Sequence, residues 1–329
     1  MKKIILIKWF PGKAITGGEM VYDAVERACL KIPGTIVIHP FDKKEKIIFQ
    51  KNFPFSFLSR RLYIFFLTGK FRKEGKVVFS GLNSGTINYV QPPAEKKLSN
   101  WAYTFNQLYY NLVEWIVNLQ KKPLEIVVYN SNYTKEKFKV DALKELILHP
   151  PLTADYGFNY SEKEDLILCI SRIDQNKNLD LLGELSGKIN HEVILAGFLP
   201  HKGEQYLEHL RLKYPKLKIM TNVTEGNKTN MLRKAKVLVM PSEAEPFGIV
   251  KLEAMVAGAV PIVHNSGGAP EAIPSGLTFS NAEELLEKVK GVLSTYNLTF
   301  AEKIRNMALK HNIDSFEEKI RDIFISLSE

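Results

Sequence analysis

The stretch VLVMPSEAEPFGIVKLEAMVAGAVPIVH, Val237 to His264, carries more structural information than any other part of the chain. It opens on a β-branched apolar run, Val237 to Met240, passes through a polar loop with proline and glycine, and continues into a helical pattern from about Gly248. A second buried-type strand follows at Val260 to His264. Strand, loop, helix and strand in that order are one parallel βαβ unit. At the opening of its helix, Phe247, Gly248, Ile249 and Val250 offer backbone N–H groups at the positive end of the helix dipole, a setting suited to an anion. Glu245 stands just before the helix and Glu253 on its second turn, eight residues later. A carboxylate pair beside a phosphate cradle suits a ligand with both phosphate and vicinal hydroxyls.

The same alternation extends in both directions. Towards the amino terminus, strands are expected at Leu166 to Ser171, Glu192 to Ala196 and Leu217 to Met220, with helical stretches between them. Before these, Pro150-Pro151 and the polar stretch Thr153 to Asp165 read as an interdomain linker. The first half repeats the pattern: strands at Ile4 to Phe10, Gly34 to His39, Lys76 to Ser80, Thr86 to Val90 and Glu125 to Tyr129, and helices at Glu19 to Lys31 and Asn100 to Leu119. The chain of 329 residues is thus expected to hold two α/β domains, 1–152 and 153–312. The tail carries Ile313, Phe316, Ile320, Ile323, Phe324 and Leu327 at helical spacing, and the helix 313–329 is expected to pack back on the first domain.

Composition excludes several classes. At 45% apolar and 25% charged residues, the chain is neither disordered nor fibrous, and no apolar run approaches the about 18 residues of a membrane-spanning helix. Two cysteines in distant apolar segments and no signal peptide before MKKIILIKWF lead to the expectation of a cytoplasmic protein. No His/Cys/Asp cluster has metal-ligand spacing and no P-loop is present, so neither an essential metal nor nucleotide hydrolysis by that motif is expected.

Charge is concentrated in one place. Of a net +9, the segment Asp42 to Lys76 holds +7, ten Lys or Arg against three acids, interleaved with eight aromatics. Within it, Ser59 to Phe71 reads as a short amphipathic helix with Leu62, Phe65 and Phe66 apolar and Arg60, Arg61, Lys70 and Arg72 flanking. Two readings suit such a segment: docking on an anionic bilayer, where each basic residue contributes about 1 kcal/mol, or packing of its apolar face on the domain's own sheet with the cations in solvent. Single-stranded nucleic acid is the competing partner for this composition, but it leaves the carboxylate pair without a purpose.

The run Glu245 to Glu271, EPFGIVKLEAMVAGAVPIVHNSGGAPE, resembles the E-x7-E signature and GG-x-PE turn of the retaining glycosyltransferases of family 4. A second block, LILCISRIDQNK from Leu166 to Lys177, resembles that family's strand followed by R-x4-K, with Arg172 and Lys177 in the two basic places. Gly17-Gly18-Glu19 resembles its GG-x-E loop. Tyr89-Val-Gln-Pro-Pro, Tyr109-Tyr110, the NSxxT of Asn130 to Thr134 and ILHPP are similar, in that order, to segments of the cytosolic mannosyltransferases that extend dolichol-linked oligosaccharides.

The resemblance implies a GT-B fold, two Rossmann-like doubly wound domains facing a central cleft. It also implies a retaining, metal-independent transfer of a hexose, mannose in the subgroup, from a GDP- or UDP-sugar to a lipid-linked or membrane-proximal glycan, with a soluble sugar or sugar phosphate as the other acceptor class. Arg172 and Lys177 would then hold the diphosphate, Glu245 the transferred sugar and Glu253 the ribose, with backbone at Phe247 to Val250 completing the contacts and the base near Asn222-Val223. Gly17, Gly18 and Gln91 fall on the acceptor side, Gln91 where the subgroup has histidine. Peripheral contact with the cytosolic face of a membrane, and no nucleic acid, follow from this reading.

Overall fold

The structure is a computed structural model that describes residues 4–7, 17–38, 77–80, 87–90, 124–138, 142–200 and 203–328. It divides into two compact units: the first takes the described residues up to Pro150 together with the tail from Ile313, and the second takes Pro151–Asn312.

In the first unit, strands β1 (Ile4–Ile7), β2 (Ile36–Ile38), β3 (Val77–Ser80), β4 (Ile87–Val90), β5 (Leu124–Tyr129) and β6 (Ala142–Ile147) form a parallel sheet in the order β2-β1-β3-β4-β5-β6. Four consecutive residues of β5, Ile126 to Tyr129, are buried. This is the signature of a parallel strand covered on both faces, where apolar residues run on without alternating. Helix α1 (Gly17–Leu30) buries Val21, Ala24, Val25, Ala28 and Cys29 along one stripe.

The tail helix, Ile313–Ser328, belongs to this unit and contacts α1. It buries Phe316, Ile320 and Phe324, one per turn. Beside them Glu317 is 5% exposed and accepts from Arg27 Nε at 2.8 Å and Lys31 Nζ at 2.7 Å. Helix α2 (Asn132–Lys137) and β6 were not expected from the sequence. The NSxxT motif accounts for α2: Ser131 is its N-cap, accepting from the Thr134 N–H at 3.0 Å and donating to Thr134 Oγ1 at 2.9 Å.

The second unit runs β7 (Glu164–Ile170), α3 (Asp180–Lys188), β8 (Val193–Gly197), α4 (Glu204–Lys213), β9 (Lys218–Thr221), α5 (Glu225–Lys234), β10 (Ala235–Met240), α6 (Val250–Val256), β11 (Val260–His264), β12 (Thr278–Phe279), α7 (Ala282–Thr295) and α8 (Leu298–Leu309). Its sheet is parallel in the order β12-β11-β10-β7-β8-β9. Counted from β7, this is the 3-2-1-4-5-6 order of a dinucleotide-binding fold. The order reverses between β7 and β10, and the loops leaving their carboxyl ends diverge there, which opens a ligand crevice.

One expectation is corrected. Thr153 to Asp165 is not a free linker: Tyr156 is 8% exposed, Phe158 packs against the core, and Glu164 already begins β7. Polar residues on the outer side of this stretch disguise two aromatic anchors.

Candidate active site

The loop after β10 is shaped by backbone conformations that the E-x7-E pattern alone does not reveal. Ala244 has φ +51° and Gly248 φ +76°. A methyl group on Gly248 would have to displace the end of the Met240 side chain and come within 3.3 Å of Glu245 Cγ, and the left-handed φ itself favours glycine. The turn after β11 supports the loop from behind. Gly268 N–H donates to the Glu245 carbonyl at 2.8 Å, and Ser266 Oγ accepts from the Ala244 N–H at 2.9 Å. Gly267, at φ +78°, lies so close that a Cβ there would sit 2.6 Å from the Glu245 oxygen and 2.7 Å from its nitrogen. The glycine pair of the GG-x-PE turn thus forms the seat of Glu245.

The side chain of Glu245 points across the switch point. Its Oε2 accepts from Lys177 Nζ at 2.7 Å, with the two side chains 19% and 12% exposed. Lys177 ends a 3₁₀ turn, Gln175–Lys177, begun by Asp174, which accepts from the Asn176 N–H at 2.9 Å, and closed by Asn178 at φ +52°. Arg172 lies on the same loop, two residues beyond β7, exposed and without a side-chain partner among the described residues.

Glu253 is 4% exposed on α6 and held by two groups absent from the sequence reading. Tyr156 Oη donates to its Oε1 at 2.8 Å, and Lys228 Nζ lies 3.0 Å from Oε1 and 2.9 Å from Oε2. Burial, then the Glu253 charge and its hydrogen bond, push the Tyr156 phenol above its ordinary pKa, so it stays a neutral donor. Lys228 Nζ also lies 5.3 Å from the centroid of the Tyr156 ring. Nothing in the sequence marks Lys228, a basic residue on a polar helix, and Tyr156 falls in the stretch read as linker.

The remaining expected residues divide. Helix α6 begins at Val250, slightly later than expected, and the N–H groups of Gly248, Ile249 and Val250 make no hydrogen bond to a described residue. The Phe247 ring is in the core, 6.5 Å from the His311 ring, so its side chain is closed to a ligand. Asn222, at φ +52° after β9, uses its Oδ1 to accept from the Leu199 N–H at 3.1 Å, and Val223 packs on the core. Gly17 and Gly18 are the first residues of α1. Gln91, Arg60, Arg61, Lys70 and Arg72 lie outside the described residues.

Residues 157–322 match the family model for glycosyl transferases group 1. The glycogen synthase of Francisella tularensis subsp. novicida is 28% identical over 194 residues, 51% of this chain but 39% of that protein, so the chain matches less than half the length of this relative. Among solved structures, sucrose-phosphate synthase from Thermosynechococcus elongatus superposes with a TM-score of 0.76 at 14% identity, covering 99% of each chain. Anabaena HepE in complex with UDP-glucose gives 0.71 at 15%, covering 99% of this chain and 100% of that one. At these identities the structural likeness shows the fold: α/β, GT-B, with two Rossmann-like domains. Together with the family match over half of the chain, this makes the protein a member of the group 1 glycosyl transferases.

Proposed function

We propose that this protein moves a hexose, mannose in the first instance, from a GDP- or UDP-sugar to a glycan acceptor, with retention of configuration and no essential metal. The observation that carries the reading is the 2.7 Å pair between Lys177 and Glu245 at the strand-order reversal, on the loop that also bears Arg172. As the bond from sugar C1 to the diphosphate breaks, negative charge builds on the leaving phosphate. Arg172 and Lys177 stabilise it, a contribution of about 3 to 4 kcal/mol for a well-placed donor group. Glu245, released from Lys177, accepts hydrogen bonds from sugar hydroxyls, and Glu253 accepts them from the ribose. The acceptor oxygen bonds to C1 on the face the diphosphate leaves, and its proton passes to the leaving phosphate oxygen, so no protein base is required.

The acceptor in this reading is a lipid-linked or membrane-proximal glycan, supported by the +7 aromatic segment Asp42 to Lys76, which suits peripheral contact with the cytosolic face of a membrane. A soluble sugar acceptor is the second reading, favoured by the likeness to glycogen synthase and sucrose-phosphate synthase. A thermal-shift screen of UDP-, GDP- and ADP-sugars tests the donor, because a ligand at 100 times its Kd stabilises by about 2.7 kcal/mol. Calorimetry with Arg172→Ala and Glu253→Ala then tests the site, and unchanged donor binding by both variants sinks the assignment. Sedimentation with anionic liposomes, with and without charge removal at Arg60, Arg61 and Arg72, separates the acceptor readings.

A further inference from the structure

Lys251 is fully buried at the second position of α6, among Leu252, Ala254, Met255 and Val256. An ammonium in such surroundings is unfavourable unless its donors are satisfied. All three are used on backbone carbonyls: Phe247 O at 2.7 Å, Ala269 O at 2.9 Å and Gly268 O at 3.2 Å. The Phe247 ring centroid lies 3.7 Å from the same nitrogen. Phe247 belongs to the loop that carries Glu245, whereas Gly268 and Ala269 belong to the turn on which Glu245 is seated. A single nitrogen atom therefore joins the loop that carries Glu245 to the turn behind it.

We infer that Lys251 is a positioning residue: its ammonium clamps the loop Ala244 to Phe247 onto the turn Gly267 to Ala269 and so aims the Glu245 carboxylate. The inference rests on the reading of Glu245 as the sugar-contacting group, but the clamp itself can be measured separately. Burial pulls the Lys251 ammonium down to about 7, against the opposing charges of Glu271 and Glu245. Loss of its proton would leave a lone pair facing a carbonyl oxygen and open the clamp. The other titratable groups on α6 and on or beside these segments are Glu243, Glu245, Glu253, Glu271, His264, whose Nδ1 lies 2.8 Å from Ser266 Oγ, and His311 beside the Phe247 ring.

The test compares the full chain with Lys251→Met and Lys251→Gln by hydrogen exchange over 242–249 and 265–271, with melting temperature as the control for folding. The expected result is exchange about tenfold faster or more in both segments of the Met variant, with β10 and β11 unchanged, and partial recovery in the Gln variant, whose amide supplies two donors. Relative to the Gln variant, wild-type exchange in these segments should also rise between pH 6 and pH 8, and keep rising in a His264→Asn background. With UDP-glucose and GDP-mannose as probes, the Met variant should lose turnover while its affinity for UDP and GDP stays within twofold.

Unchanged exchange in the Met variant overturns the clamp, and so does collapse of the whole fold in both variants, which would make Lys251 a general core group. Glu245→Gln separates the two ideas. If it retains full turnover while the Met variant shows faster exchange, the sugar-contact reading fails and the clamp stands. If Glu245→Gln abolishes turnover and the Met variant leaves turnover intact, the positioning role fails alone.

Discussion

Lys177 and Glu245 are 68 residues apart in the chain and 2.7 Å apart in space. The strand order brings them together, because β7 and β10 are neighbours in the sheet although two further strands separate them in sequence. In this arrangement the cation and the carboxylate neutralise one another, and a donor with a diphosphate and a hexose would offer each a separate partner.

The pair should therefore matter to turnover more than to folding. Lys177→Ala is expected to lower kcat by about 10²- to 10³-fold, the usual cost of losing a transition-state donor. Steady-state kinetics with the nucleotide sugar selected by thermal shift will check it, and a kcat within twofold of wild type would count against the diphosphate role.

Gly267 is predicted to tolerate no side chain. Its left-handed φ of +78° and the Glu245 backbone at 2.6 and 2.7 Å leave a methyl group nowhere to go, so Gly267→Ala should cost about 2 to 3 kcal/mol and lower donor affinity. Gly291, inside α7 with open space around it, is the contrast: Gly291→Ala should stabilise by about 0.5 to 1 kcal/mol. Urea unfolding of both variants gives the comparison.

Glu253 depends on Lys228 for its counter-charge. Lys228→Met leaves a carboxylate only 4% exposed with the Tyr156 hydroxyl as its remaining side-chain partner among the described residues, and should destabilise the protein by about 3 kcal/mol. Adding Glu253→Gln removes the buried charge and should restore most of that loss. A double-mutant cycle without such recovery would show that the pair is not coupled.

Glu317 ties the tail to α1 and should do so in a pH-dependent way. Desolvation works to raise its pKa, but hydrogen bonds from Lys31 and Arg27, and then their charges, prevail and hold it below 4.5. A depressed carboxyl contributes stability that is present above its unfolded pKa and lost as pH falls through the folded one. Glu317→Ala should cost about 1.5 to 3 kcal/mol at pH 7, and its stability should fall less than that of wild type below about pH 4.5. Denaturant titrations at pH 7 and in the acid range will measure both effects.

Much of the second unit was legible because parallel strands buried on both faces leave uninterrupted β-branched runs. The stretches read at Leu166, Glu192, Val237 and Val260 fall on β7, β8, β10 and β11. The two-residue β12 and the six-residue α2 carry too little periodicity to read. Tyr156 was missed because its neighbours are polar, and Lys251 because nothing in a helical pattern separates a lysine facing solvent from one facing three carbonyls.

The sequence by itself determined the fold class and the chemical types at the site, since alternating apolar runs and the E-x7-E and R-x4-K spacings are local properties of the chain. Only the tertiary structure decided which charges meet: Lys177 with Glu245, Lys228 with Glu253, and Lys251 with the backbone of two turns. The physical reason is that ion pairs and carbonyl contacts act over about 3 Å between atoms brought together by strand order. That order is set by the packing of the whole sheet, and no local spacing records it.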